Sequence, residues 1–115
     1  MDADVWDFRP ELHVGPEAGV TGFRVEASDG RIGKVAEAVY EPGAAYIVVD
    51  TGPWILGASF LLPAGTVDRV DRRAGVVGLD LTRNDVSTSP PYDPRTTPGD
   101  LAYLHQLQDH YRRTS

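Results

Sequence analysis

The sequence predicts a mainly β fold: a small antiparallel β-barrel, followed by an extended proline-rich segment and a C-terminal α-helix. Three observations predict it. Between Val20 and Leu81 the chain reads as five or six short runs rich in β-branched and aromatic residues. Each run is joined to the next by a tight Gly- or Pro-containing connection, with no room for the crossover helices that a parallel sheet needs. From Leu101 the pattern changes to helical spacing, after four prolines in the fourteen residues "STSPPYDPRTTPGD".

The elements follow in order. "VTGFRVEA" alternates, with Phe23, Val25 and Ala27 on one face and Arg24 and Glu26 on the other. "SDG" then supplies Asp29-Gly30, a strong hairpin signal. The return strand "RIGKVAEAVY" alternates through Ile32 and Val39, and Gly33 in its middle marks a bulge or a close backbone approach. "EPGA" is a second turn, where proline presets φ and glycine supplies positive φ. "AYIVVD" reads as a central strand. After the loop "TGPWILGA" comes "SFLLPAGTVDRVD", two strand pieces broken at Pro63, because proline cannot donate to a ladder. "RRAG" turns the chain into "VVGLDLT", with Val77, Leu79 and Leu81 on one face. In "LAYLHQLQDHYRR" the residues Leu101, Leu104, Leu107 and Tyr111 form an apolar stripe. Asp100 suits the start of that helix, and Arg112 with Arg113 suits its end. A lone helix of this length is marginal in water, so the stripe must pack on the barrel, on a second copy or on a partner.

The organisation expected is an acidic arm over 1–19, a barrel-like domain over 20–86, and the proline-rich segment with its amphipathic helix over 87–115. At 115 residues the chain is one domain's worth and can bury an independent core. The net charge is −6, and residues 1–20 hold five acids (Asp2, Asp4, Asp7, Glu11, Glu17) against Arg9 alone. That opening reads as a solvated arm. No basic face is visible, which argues against nucleic-acid binding through phosphates. No run approaches the roughly 20 apolar residues of a membrane span, and the start lacks the blocks of a signal peptide. The chain has no cysteine, which excludes disulfide and thiol chemistry and fits a cytoplasmic location.

"SDGRIGKV" has the look of a phosphate-binding loop, with Gly30 and Gly33 running into Lys34. A Walker-type loop needs four residues between its glycines, then Lys with Ser or Thr, then a helix whose N-terminus holds the phosphate. Here only Arg31 and Ile32 separate the glycines, Val35 follows Lys34, and strands flank both sides. The stretch is a turn.

In order and spacing, "VTGFRVEASDGRIGKVAEAVYEP", "AYIVVDTG", "SFLLPAGTVDRVD" and "GVVGLDLT" resemble a PRC-barrel domain over roughly residues 20–82. That family is named for a domain of the photosynthetic reaction-centre H subunit and includes the C-terminal domain of the ribosome maturation factor RimM. "LTRNDVSTSPPYDP" is similar to the short segment after the barrel in stand-alone bacterial members. The resemblance implies a compact, strongly bent β-barrel that mediates protein contacts and, in many members, self-association. It brings no catalytic residues. The separate N-terminal domain of RimM and the membrane helix of the H subunit have no counterpart here.

His13, His105 and His110 are the three histidines, and the last two, five apart, fall on different helix faces, so surface positions and no metal site are expected. No Ser, His and carboxylate form a readable nucleophilic set. Asp50, Asp68, Asp71 and Asp80 sit at strand ends or on polar faces, as solvated charges do. No cofactor is implied. In "GPWILGAS" the neighbours Trp54, Ile55 and Leu56 cannot all face inward on a strand. They plug one open end of the barrel, or Trp54 is exposed at a contact. The function expected is therefore a non-catalytic interaction module, not an enzyme. It forms a homodimer or docks on a protein partner through Trp54, Ile55 and Leu56 and through Leu104, Leu107 and Tyr111 of the helix. The alternative is a small-ligand-binding protein or an enzyme that uses the barrel mouth.

Overall fold

The computed structural model describes residues 5–52, 59–90, 92 and 101–114, with side chains in the last stretch from 102 to 111. Six strands form: β1 (Arg24–Ala27), β2 (Gly30–Val39), β3 (Tyr46–Asp50), β4 (Ser59–Pro63), β5 (Val67–Asp71) and β6 (Val76–Leu79). Two helices follow, α1 (Arg83–Ser87) and α2 (Leu101–Thr114). The turns fall where glycine and proline demand them. Gly30, Gly43 and Gly75 have positive φ at the β1–β2, β2–β3 and β5–β6 turns. Pro63 ends β4, and one 3-10 turn, Ala64–Thr66, leads directly into β5.

The strands make one mixed sheet in the order β4-β3-β2-β1-β6-β5. Neighbours are antiparallel except β1 and β6, which run parallel with Val25 opposite Val77. The expectation of a wholly antiparallel arrangement fails at that seam. β4 and β5 stand at the two ends of the order, with no ladder between them among the described residues. A flat sheet would hold its outer strands about 24 Å apart at ordinary strand spacing. Pro63 and Val67 end and begin those outer strands, and the four Cα steps between them reach about 15 Å at most. The sheet is therefore strongly bent.

Three bulges help to bend it, one of them at Asp68 in β5, opposite Leu79 and Gly78. Val25 faces Gly33 and Glu26 faces Arg31, which leaves Ile32 as an extra residue in β2. Farther along, Ala36 is the extra residue opposite Val49 and Val48. A bulge raises local twist and re-aims side chains. At Gly33 a Cβ would collide with the Asp50 carbonyl oxygen, so the close approach that glycine permits is a real one.

The core draws on every strand and on both helices, with Val25, Ile47, Leu61, Leu62, Val77, Val86 and Leu107 among its fully buried members. Tyr46 to Val49 of β3 and Phe60 to Pro63 of β4 are buried without alternation, as happens when both faces of a strand are covered. α2 supplies part of that cover by packing against β4.

The opening segment is no solvated arm over residues 5–19. Trp6, Phe8, Leu12 and Val14 pack against the core. Polar contacts hold the segment as well. The Trp6 indole N–H donates to Gln108 Oε1 at 2.9 Å, the Ala45 N–H donates to the Trp6 carbonyl at 2.9 Å, and Arg9 pairs with Asp80 at 2.6 Å. Arg72 donates to the carbonyls of His13, Ala18 and Gly19. Acidic composition suggested solvation, but the four apolar residues spaced among the acids decided the outcome. The short helix α1 also escaped the sequence reading. A reciprocal capping box starts it: the Asp85 N–H donates to Thr82 Oγ1 at 3.1 Å, and the Thr82 N–H donates to Asp85 Oδ2 at 2.9 Å.

Candidate functional site

The contact residues expected on α2 are placed as follows. Leu107 and Tyr111 are 0 % and 1 % exposed within the chain's own core, and Leu104 is half-buried at its margin. Leu107 and Tyr111 thus pack in the chain's own core, which removes them from any surface a partner could reach. Three polar ties fix the helix: Trp6 to Gln108, the Tyr103 hydroxyl donating to the Pro90 carbonyl at 3.2 Å, and His110 Nε2 at 2.7 Å from the Asp85 carbonyl. His110 is accordingly half-buried against α1, whereas His13 and His105 are exposed as expected. Burial pushes the phenols of Tyr103 and Tyr111 above their ordinary range, so both stay neutral and act as packing groups. Trp54, Ile55 and Leu56 lie outside the described residues, as does Asp100.

The "SDGRIGKV" stretch, weighed above as a phosphate loop and set aside as a turn, itself forms one wall of a groove. The groove, of about 590 Å³, is lined by residues 31–34 of β2 and by residues 50–52, where the chain leaves β3. Its volume falls in the range of small-molecule sites, roughly 300–1,000 Å³. Ile32 is buried, while Arg31 and Lys34 are exposed. Two residues three apart on a regular strand project to opposite faces. The bulge at Ile32 breaks that rule and lets both cations line one groove. Lys34 lies across the ladder from Asp50, whose Oδ1 accepts the Gly52 N–H at 2.9 Å. The sequence signal was present as two cations in "GRIGK", but the register that unites them belongs to the β1–β2 pairing.

A second polar cluster sits on the other side of the break at Pro63. Arg9 donates to Asp80 Oδ2 at 2.6 Å and to the Gly65 carbonyl. Burial raises the carboxyl pKa of Asp80, Asp68 adds to the rise, and Arg9 opposes it. The net rise means that desolvation outweighs a short ion pair whose side chains are about one third exposed. This cluster fastens the opening segment to the end of β6 and is architectural. Among the described residues no group of three or more His, Cys, Asp or Glu side chains could hold a metal ion, and no helix is long and apolar enough to cross a membrane.

The sequence matches no protein-family model and none of the curated proteins to which it was compared.

Proposed function

We propose that this chain is a non-catalytic interaction module built on a small, strongly bent barrel of the PRC-barrel kind, which self-associates or docks on a protein partner through Trp54, Ile55 and Leu56. Support for the barrel comes from the three-residue link between the outermost strands. A chain that short brings the two ends of a six-strand sheet toward one another. The observation that carries the functional reading is how the apolar surface is allotted. Leu107 and Tyr111 of α2 are consumed by the chain's own core, which leaves Trp54, Ile55 and Leu56, with the half-buried Leu104, as the contact residues of the sequence. Tryptophan is the residue most enriched at binding hot spots.

The test compares wild type with Trp54→Ser by sedimentation at protein concentrations spanning two decades, after circular dichroism shows both to be folded. The expected result is a concentration-dependent dimer that the substitution dissociates. Wild type that stays monomeric throughout, and that retains no protein in affinity capture which Trp54→Ser fails to retain, overturns the proposal.

The groove favours a second reading, a small-ligand-binding protein. The supporting observation is a volume of about 590 Å³ beside two exposed cations.

A further inference from the structure

We infer that the β2–β3 groove binds a small organic anion, an apolar body bearing one carboxylate or phosphate group. The inference rests on the ligand-binding reading of that groove and adds the chemical class of its occupant.

The chain carries 17 acids and 11 bases, so a base on this protein has no shortage of acidic neighbours. Arg9 pairs with Asp80, Arg24 and Arg69 share Glu26, Arg83 pairs with Asp29, and Arg72 is occupied by three carbonyls. Arg31, Lys34 and Arg73 form no ion pair among the described residues, and the first two are set apart by where they sit. Both line the same groove. Among the described lining residues the acid is Asp50, which spends Oδ1 on its own turn at Gly52, so that those residues together carry a net charge of +1. A mouth with that charge, on a protein of net charge −6, attracts an anion that the rest of the surface repels.

Construction of the wall points the same way. Keeping both cations on one side requires the bulge at Ile32, and bulges are over-represented next to sites because they re-aim side chains. The approach of the β3 exit to β2 requires Gly33, since any Cβ there would strike the Asp50 carbonyl. The exposed lining of the groove is mainly carbon. Ile32 is only 2 % exposed and contributes little of it, whereas the methylene stems of the exposed Arg31 and Lys34 supply apolar surface on either side of the glycine backbone. Such a surface takes an apolar body, while the charged heads at its mouth take the anionic group. Arg presents a fork that suits either carboxylate or phosphate, and Lys adds a point charge.

The experiment is an NMR titration of the ¹⁵N-labelled chain with three probes that share an eight-carbon tail: octanoate, octyl phosphate and octanol. The expected result is saturable shifts at the amides of residues 31–34 and 50–52. At least one anion should bind about tenfold more tightly than octanol, and the margin should shrink as sodium chloride is raised. Whichever anion binds more tightly identifies the head group. In the double variant Arg31→Gln, Lys34→Gln, both positions being exposed, the melting temperature should hold and the margin over octanol should vanish. Octanol binding as tightly as the anions would leave a ligand groove but overturn its anion preference. No saturable shift at these amides with any probe overturns both the preference and the ligand-binding reading beneath it.

Discussion

Replacing Leu107 by alanine tests whether α2 belongs to this chain's own core. Leu107 is 0 % exposed and sits in the same cluster as Tyr103 and Tyr111. Truncating a fully buried leucine costs about 2–5 kcal/mol, the spread reflecting how far the site can collapse. The ties from Trp6, Tyr103 and His110 limit the helix's freedom to settle into the gap, so we take the middle of that range, about 3 kcal/mol. For a domain near this length each kcal/mol moves the melting temperature by about 4 °C, giving an expected fall of about 12 °C. The assay is thermal unfolding by circular dichroism at two protein concentrations a decade apart, with Gln106→Ala as the comparison. Gln106 is exposed on the same helix, and its loss should change stability by no more than about 0.5 kcal/mol. Because the packing is intramolecular, the fall for Leu107→Ala should be the same at both concentrations. A melting temperature within a degree or two of Gln106→Ala would refute the reasoning. So would a loss confined to low concentration, which is the mark of a helix seated on a second copy.

Three further outcomes follow from the same geometry. Gly33→Ala must push the β3 exit away from β2, because the new Cβ strikes the Asp50 carbonyl. Its unfolding free energy should fall by more than about 3 kcal/mol in urea titration, whereas a loss under about 1 kcal/mol, the ordinary cost of a well-tolerated change, would show that the approach is not tight. Thr82→Ala removes the cap of α1 and half of its reciprocal box, at an expected cost of about 1 kcal/mol by the same method; no loss would mean the box is not formed in solution. Asp80 should titrate above its ordinary value of 3.8, burial being the main cause. A raised folded-state pKa gives stability that is present below the unfolded value and lost as pH rises through the folded one. Asp80→Asn should therefore gain on wild type as pH climbs through that window, and a carboxyl midpoint at or below 3.8 by NMR would refute the sign.

Much of the fold was legible because it is local. Asp29-Gly30 marked the first hairpin, Pro63 marked the break between β4 and β5, and the spacing from Leu101 marked α2, since each depends on chemistry within a few residues. α1 depends on equally local chemistry, yet a five-residue helix carries too little periodicity to stand out beside prolines. The packing of residues 5–19 was hidden for a different reason. Charge counts register Asp7 and Glu11, whereas the decisive contacts are those of Trp6 with Gln108, 102 residues away, and of Arg9 with Asp80, 71 residues away. The groove suffered in the same way. Arg31 and Lys34 are plain in the sequence, but alternation assigns them to opposite faces, and only the pairing of β1 with β2 shows where the phase slips.

The parallel seam is the deepest of these nonlocal features, and it explains the bend. β1 through β4 form a meander in which each strand pairs with the next, and β5 with β6 forms a separate hairpin. Each unit can be read from its turns. Their junction cannot, because β1 reaches its parallel partner β6 only after four intervening strands, and no tight turn encodes such a crossover. Once Val25 lies beside Val77, both 0 % exposed, the hairpin is fixed to the β1 side of the meander. The three-residue link must then span from the opposite side. The seam and the link cannot both be satisfied by a flat sheet, so the curvature that shapes the β2–β3 groove follows from their competition and not from any one strand's sequence.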